Sequence, residues 1–151
     1  MRKKISVVIP TYNEEANVIP LADAIVGVLT GELAEYDYEI IFIDNHSKDS
    51  TQIKLRQLCR ENKRIKAIFN ARNFGQMRSP VHGLKQATGD CVIRMCADFQ
   101  DPVEMIVQFV REWEQGHKIV IGVKKASKEK RIMYWIRACY YKLIRKITDI
   151  D

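Results

Sequence analysis

Cys91-Val92-Ile93-Arg94-Met95-Cys96-Ala97-Asp98-Phe99-Gln100-Asp101-Pro102 is the stretch that decides the reading of this chain. It opens as a short apolar run of strand length. Asp98, Gln100 and Asp101 crowd just past its end. Carboxylates just beyond a buried strand are costly unless they hold something positive, and a divalent cation is the natural candidate.

Working outward, the same pattern recurs. Ile5-Ser6-Val7-Val8-Ile9 is a buried strand stopped by Pro10, and Glu39-Ile40-Ile41-Phe42-Ile43-Asp44 is a second. Residues 65–69, 91–95 and 118–122 give strands three, four and five. Between them lie amphipathic helices. The first is capped by Asn13, buries Val18, Leu21, Ala22, Ile25, Val28 and Leu29, and ends at Gly31. The second covers about residues 50–62, with Ile53, Leu55 and Leu58 apolar. The third covers residues 76–88 and is ended by Gly89. The fourth takes Asp101 as N-cap, Pro102 in first position and Glu104 in third. It buries Ile106, Phe109, Val110 and Trp113, and Gly116 ends it. Strands alternating with helices predict an α/β fold with a mainly parallel sheet and right-handed crossovers. Ligands of such sheets bind beyond the carboxyl ends of the strands. A strand order of 3-2-1-4 brings the loops after strands one, two and four to one crevice.

With 151 residues and 46% hydrophobic content, the chain suits a soluble globular domain with a real core. No apolar run reaches the roughly 18–20 residues a membrane span needs. The basic start, Met1-Arg2-Lys3-Lys4, leads into a strand and not a signal peptide. Cys59, Cys91, Cys96 and Cys139 lack metal or redox spacing and read as reduced thiols. The net charge of +6 is uneven. Nine Lys or Arg and one acidic residue, Glu129, lie between Val123 and Lys146, and the remainder is near balance. This divides the chain into a core, residues 1–123, and a basic amphipathic helical segment, residues 124–151. In the latter, Ile132, Trp135, Ile136, Cys139, Tyr140, Leu143 and Ile147 fall at helical spacing. That pattern fits a helix in an anionic membrane interface, or equally one docked on its own domain. Nucleic acid is not expected as a partner, since no nucleic-acid motif accompanies the charge.

Each candidate residue has a structural alternative. Asp98 and Gln100 supply hard oxygen atoms suited to Mg²⁺ or Mn²⁺ on a diphosphate. Asp98 also reads as a solvated loop carboxylate, and Asp101 is accounted for by capping. Asp44 can accept from a base N–H or a ribose hydroxyl, or close an Asx-turn. Tyr12 can pack on a base and Glu14 can reach a ribose, but both suit a helix start. Arg72 can pair with phosphate, and Gly75 allows close backbone approach; Arg72-Asn73 equally reads as a turn. His46, His82 and His117 read as solvated or packed histidines. Cys96 reads as a buried small residue, since a thiolate suits zinc better than magnesium.

Val8-Ile9-Pro10-Thr11-Tyr12-Asn13-Glu14-Glu15, Arg72-Asn73-Phe74-Gly75, Gly89-Asp90 and Asp98-Phe99-Gln100-Asp101-Pro102, in this order, resemble family 2 glycosyltransferases of the GT-A (Rossmann-like) fold. The similarity is greatest to the polyprenyl-phosphate sugar transferases. The resemblance implies that Pro10, Thr11, Tyr12, Glu14, Asp44, Arg72 and Asp98 contact the nucleotide sugar. It also implies that Asp98 and Gln100 hold the metal, and that Asp98 and Asp101 belong to the catalytic centre. It puts the basic helix at the membrane surface, with Arg131 and Arg137 near the lipid phosphate. The expected activity is inverting, metal-dependent transfer from a UDP- or GDP-linked sugar to a polyprenyl phosphate. The expected location is the cytoplasmic face of the membrane, peripherally held. Homo-oligomerisation is compatible with the sequence.

Three departures stand out. The family usually has Asp-Ala-Asp where this chain has Cys96-Ala97-Asp98. It often has two aspartates where this chain has Asp44-Asn45. It continues past the equivalent of Asp151, so the chain looks like the front part of a larger enzyme, with little turnover expected alone. Alternative readings are transfer to a polysaccharide or other glycan acceptor, a non-catalytic nucleotide-binding domain, and a receiver-like domain with Asp44 as phospho-acceptor. The last leaves the motifs after strands one and four unexplained.

Overall fold

A computed structural model of the chain describes residues 2–123 and residue 140. Four strands and four helices alternate: β1 (Lys4–Thr11), α1 (Val18–Gly31), β2 (Asp37–Asp44), α2 (Thr51–Glu61), β3 (Ile65–Phe69), α3 (Gly75–Lys85), β4 (Cys91–Arg94) and α4 (Met105–Glu114). The strands form one parallel sheet in the order β3-β2-β1-β4, the order under which the loops after strands one, two and four share one edge. The chain divides into two compact units, Met1–Val120 and Ile121–Asp151. The basic segment, with Arg131 and Arg137, lies outside the described residues apart from Tyr140.

The register explains the burial. Ile5, Val7 and Ile9 stand beside Tyr38, Ile40 and Phe42. That face packs with Leu21, Ile25 and Leu29 of α1, Leu55 of α2, and Ile106 and Val110 of α4. Val8, Ile41 and Ile43 point to the other face, where α3 lies. Gly83 permits that approach, because a Cβ there would stand 3.0 Å from both Val8 Cγ1 and Ile43 Cγ2.

The amino-terminal end of the sheet is fastened by a buried acid. Glu39 is 1% exposed. Its carboxylate accepts from Ser6 Oγ (2.7 Å), Thr88 N and Oγ1 (2.8 Å each) and Lys66 Nζ (2.6 Å). Lys4 Nζ adds a 3.3 Å ion pair. This set ties the loop after α3 to β1 and β2. Gly89 and Asp90 belong to the same fastening: Gly89 N–H donates to Ser6 Oγ and Asp90 Oδ2 accepts from Lys4 N.

Several expectations need correction. Pro10 does not stop β1; it pairs with Ile43 in the centre of the sheet. Val8 O accepts from Met95 N, so even-numbered residues of β1 point their backbone groups toward β4. Beside Pro10, β4 has already ended, so the missing N–H has no ladder bond to break. Asn13 is not the cap of α1. It adopts φ 57°, and the N-cap position belongs to Asn17. Asp101 and Pro102 do not open α4, whose N-cap position is Glu104. Residues 102–104 instead form turns that feed the helix. Ile53 is 70% exposed, because α2 turns Leu55 and Leu58 inward instead. The third helix ends at Lys85, before Gly89. Residues 118–123 form no strand: Ile119, Ile121 and Val123 are exposed, with no ladder partner among the described residues. Alternation of apolar residues specifies two faces but not a hydrogen-bonding neighbour.

Two consequences are measurable. A Cβ at Gly89 would lie 2.6 Å from Ser6 Oγ and 2.8 Å from Lys4 O and Ser6 N. Gly89→Ala is therefore expected to cost about 1–3 kcal/mol of stability, read as a lowered urea midpoint. Burial alone would raise the Glu39 pKa, but the hydrogen bonds from Lys66, Ser6 and Thr88 outweigh it and hold the carboxyl far below its ordinary 4.5. Its stabilising contribution is full above pH 4.5 and fades as the pH falls below that value. Glu39→Gln is expected to flatten this acid limb of stability, as followed by urea titration across pH.

Candidate functional site

Parallel strands end together, so the loops after β1, β2, β3 and β4 emerge at one edge of the sheet. The first two are laced to each other. Asn13 N–H donates to Ser47 Oγ (2.9 Å), Glu14 N–H to Thr51 Oγ1 (2.8 Å) and Glu15 N–H to Asp49 Oδ2 (3.1 Å). In return, Lys48 N–H donates to Asn13 Oδ1 (2.9 Å), Ser50 N–H to Glu15 Oε2 (2.9 Å) and Lys54 Nζ to Glu15 O (2.8 Å). Burial raises the Asp49 pKa, but bonds from the Thr51 hydroxyl and the Thr51 and Glu15 amides outweigh it and lower it overall.

Asp44 closes this unit from below. It is fully buried. Its carboxylate accepts from Ser47 N–H (3.0 Å), Ser47 Oγ and Gln52 Nε2 (2.7 Å). Asp44 thus closes a turn through Ser47 N–H, three residues on and one further than in the Asx-turn that the sequence allows. Thr11 is likewise buried and donates to Ile43 O (3.3 Å). Tyr12 is 43% exposed, and the half-buried Glu14 accepts from Asn17 Nδ2 (2.7 Å).

The loop after β3 hangs on Asn45, which the sequence marks only as an amide where the family often has a second aspartate. Asn45 Nδ2 donates to Asn73 Oδ1 (2.8 Å), while its Oδ1 accepts from Asn70 Nδ2 (3.2 Å) and Phe74 N–H (2.9 Å). Asn70 also donates to Ser79 Oγ (2.9 Å) inside α3. Asn73 Oδ1 accepts from Gly75 N–H (2.7 Å), which holds the start of α3. Arg72 is exposed, with its guanidinium 4.9 Å from the Phe74 ring centroid. Asn73, Phe74 and Gly75 belong to the motif after the third strand, but nothing local in the sequence ties that motif to Asn45 or Asn70.

After β4, the chain turns sharply. Cys96 N–H donates to Asp101 Oδ2 (3.2 Å), so Asp101 braces this loop from within. Among the described residues Asp98 Oδ1 accepts from Gln100 N–H (3.2 Å) alone, and Asp98, Phe99 and Gln100 are exposed. Phe99 has φ 56°, a strained conformation for an aromatic residue. Burial pushes the Cys96 thiol pKa up, and the charge and hydrogen bond of Asp101 push it further. Among the described residues no three His, Cys, Asp or Glu side chains converge as a ready cation cage. The oxygens of Asp98 and Gln100 suit a hard cation that brings most of its ligands with it. Cys59, Cys91 and Cys96 are free thiols. His46, His82 and His117 are all exposed.

The sequence matches Glycosyl transferase family 2 over residues 6–150. The chain belongs to that family. It is 34% identical over 146 residues to the bactoprenol glucosyl transferase of Shigella phage SfX, covering 96% of this chain and 47% of the relative. It is 32% identical over 147 residues to the putative glycosyltransferase CsbB of Bacillus subtilis, covering 97% and 44%. The chain thus spans about half the length of the curated relatives it matches. Among solved structures, the mannosyltransferase PcManGT from Pyrobaculum calidifontis, in complex with GDP-Man and Mn²⁺, superposes with a TM-score of 0.61. The identity is 22%, with 75% of this chain and 32% of that one covered. TarS from S. aureus in complex with UDP gives 0.60 at 22% identity, covering 84% and 38%. These likenesses establish the fold as that of GT-A glycosyltransferases. Among the described residues no helix is long and apolar enough to cross a membrane.

The amide network yields a direct test. Asn45→Asp replaces the donor to Asn73 Oδ1 with a second acceptor and buries a charge. Its expected cost is about 1–3 kcal/mol, together with faster amide hydrogen exchange at Phe74 and Gly75.

Proposed function

We propose that this chain forms the donor-binding part of a glycosyltransferase that uses a nucleotide sugar and delivers it to a polyprenyl phosphate with inversion. The observation that carries this reading is the single edge at which the loops after β1, β2, β3 and β4 meet, in a member of this family. On this reading the nucleoside lies against the loop from Pro10 to Glu14. Tyr12 offers its exposed ring to the base, and Glu14 lies within reach of the ribose. Thr11 and Asp44, buried beneath, fix that loop and the Ser47 turn, so Asp44 acts on the nucleoside through the turn that it closes. Arg72 offers a planar cation to phosphate, preset by stacking on Phe74.

Asp98 and Gln100 are the residues that would hold Mg²⁺ or Mn²⁺ against the diphosphate. A bound cation would offset the charge that grows on the departing nucleoside diphosphate. Support for a cation comes from the donor set itself: an exposed carboxylate and amide with little other engagement. Asp101 acts as a positioning residue, since its carboxylate holds Cys96 N–H and hence the turn that presents Asp98.

The acceptor chemistry follows from charge. The anomeric carbon loses its bond to the diphosphate oxygen and gains one to an acceptor oxygen on the opposite side. A sugar hydroxyl would need a base to take its proton. A phosphate monoester, with a second pKa of about 6, is already an anion at neutral pH. A phosphate acceptor therefore needs no such base, and a lipid phosphate fits this reading more simply than a glycan hydroxyl does. The homologous bactoprenol transferases point the same way. Arg131 and Arg137 are proposed to face the acceptor phosphate and an anionic membrane, as a peripheral protein on the cytoplasmic side would.

Calorimetric titration with UDP and GDP, with and without Mn²⁺, tests this. One nucleotide should bind more tightly with the metal. Asp98→Asn should weaken the metal-dependent part by about tenfold or more while leaving metal-free binding nearly intact. Absence of binding by either nucleotide, or an Asp98→Asn variant indistinguishable from the parent, would refute the donor-site reading.

A further inference from the structure

We propose that the outer face of α3 is a second lipid-facing surface, one that seats the chain on an anionic bilayer. Phe74, Met77 and Val81 recur at helical spacing and are 40%, 78% and 50% exposed. Gly83, Ser79 and Pro80 occupy the opposite side, against the sheet. The helix thus packs small residues on one side and exposes large apolar ones on the other, and only the first side has a partner among the described residues. An isolated exposed side chain needs no explanation, but a stripe of three large ones does.

The charge around the stripe identifies the partner. Arg72, Arg78 and Lys85 are exposed beside it, and no Asp or Glu occurs anywhere in residues 71–89. Among the described residues none of these three cations has an ion pair, whereas Lys4, Lys66, Arg64 and Arg111 all do. Exposed apolar side chains flanked by unpaired cations, with no carboxylate in the same segment, fit an interfacial helix. A protein partner or a second copy would be expected to place carboxylates opposite these cations. A second copy of this same face would instead set like charges against each other.

The location serves the lipid-acceptor reading. α3 starts where β3 ends, so Phe74 and Met77 lie at the edge that carries Arg72. Seating this helix in the headgroup layer would bring the donor loops to the depth of a lipid phosphate. The purpose of the surface rests on that reading, but its test does not, because binding to vesicles is measured without donor or acceptor.

Met77 reports its own coverage, since peroxide converts an accessible thioether to the sulfoxide, a change that mass spectrometry reads. The whole chain is mixed with vesicles of phosphatidylcholine and phosphatidylglycerol, or of phosphatidylcholine alone. Buried Met95 serves as the internal reference. The expected result is slower Met77 oxidation with the anionic vesicles only. Arg78→Glu is expected to restore the fast rate and to lower co-sedimentation by about tenfold, with thermal stability unchanged. Met77 oxidation unchanged while the chain still sediments would assign the membrane contact to another segment and overturn the proposal. Protection that grows with protein concentration in the absence of lipid would assign the face to a second copy and also overturn it. Failure to bind anionic vesicles at all would do the same. Loss of nucleotide binding with vesicle binding intact would sink the donor reading alone.

Discussion

Parallel pairing of β1 on both of its edges is the constraint from which the rest follows. Ile5, Val7, Val8 and Ile9 have no exposed surface, so the strand is sealed on both faces and hydrogen-bonded to β2 and β4. A strand so placed is apolar except where a polar group finds a buried partner, as Ser6 does in Glu39, and here both neighbours run the same way. All four strands therefore deliver their polar loops to one edge, and chemistry can be assembled there without disturbing the core. Pro10 shows how closely the two requirements meet. It extends the central strand by using the side where β4 has already ended.

The two ends of the sheet handle buried polarity differently. At the amino-terminal end, Glu39 carries a full charge and is met by Lys66 and Lys4, with Ser6 and Thr88 completing the set. At the carboxyl end, Asp44 is met by neutral donors, and Asn45, Asn70 and Asn73 bond to one another. Among the described residues no buried side-chain nitrogen or oxygen lacks a partner. An amide network sets geometry without adding charge of its own beside the Asp44 carboxylate. The groups left exposed are of another kind: the ring of Tyr12, the guanidinium of Arg72, the carboxylate of Asp98 and the amide of Gln100.

Much of this was legible in the sequence, and the reason differs by element. The strands were legible because burial on both faces produces continuous apolar runs, and the α/β alternation implied a parallel sheet without fixing its strand order. Helix faces were legible where apolar residues repeat, as in α1. Helix starts were not. Asp101-Pro102 carries a strong capping signal, yet the carboxylate is drawn to Cys96 N–H, five residues back and brought close by a turn that no local pattern reveals. Asn13 failed as a cap for a similar reason, since its side chain is claimed by Lys48 N–H across the neighbouring loop. Residues 118–123 failed as a strand because pairing is a property of two segments, and only one of them could be read. The site motifs were visible as motifs, but the lacing of Glu15, Asp49 and Thr51, and the hub at Asn45, depend on contacts about 30 residues apart in sequence.

Cys96 and Asn45 bear together on how a cation could be held. Both stand where the family often places a carboxylate, and neither supplies a negative charge: Asn45 is an amide, and the Cys96 thiol is kept protonated by burial and by Asp101. Asp101 itself is spent on the backbone of its own loop. Asp98 is thus the carboxylate left facing outward after β4, too little to strip water from a hard divalent ion unaided. A diphosphate supplies the missing charge. On the proposed reading, cation and nucleotide sugar bind as one body, and the site is completed by its substrate. Such a site would carry less negative charge when empty than one with the family's full set of carboxylates, which would suit the proposed approach to an anionic bilayer.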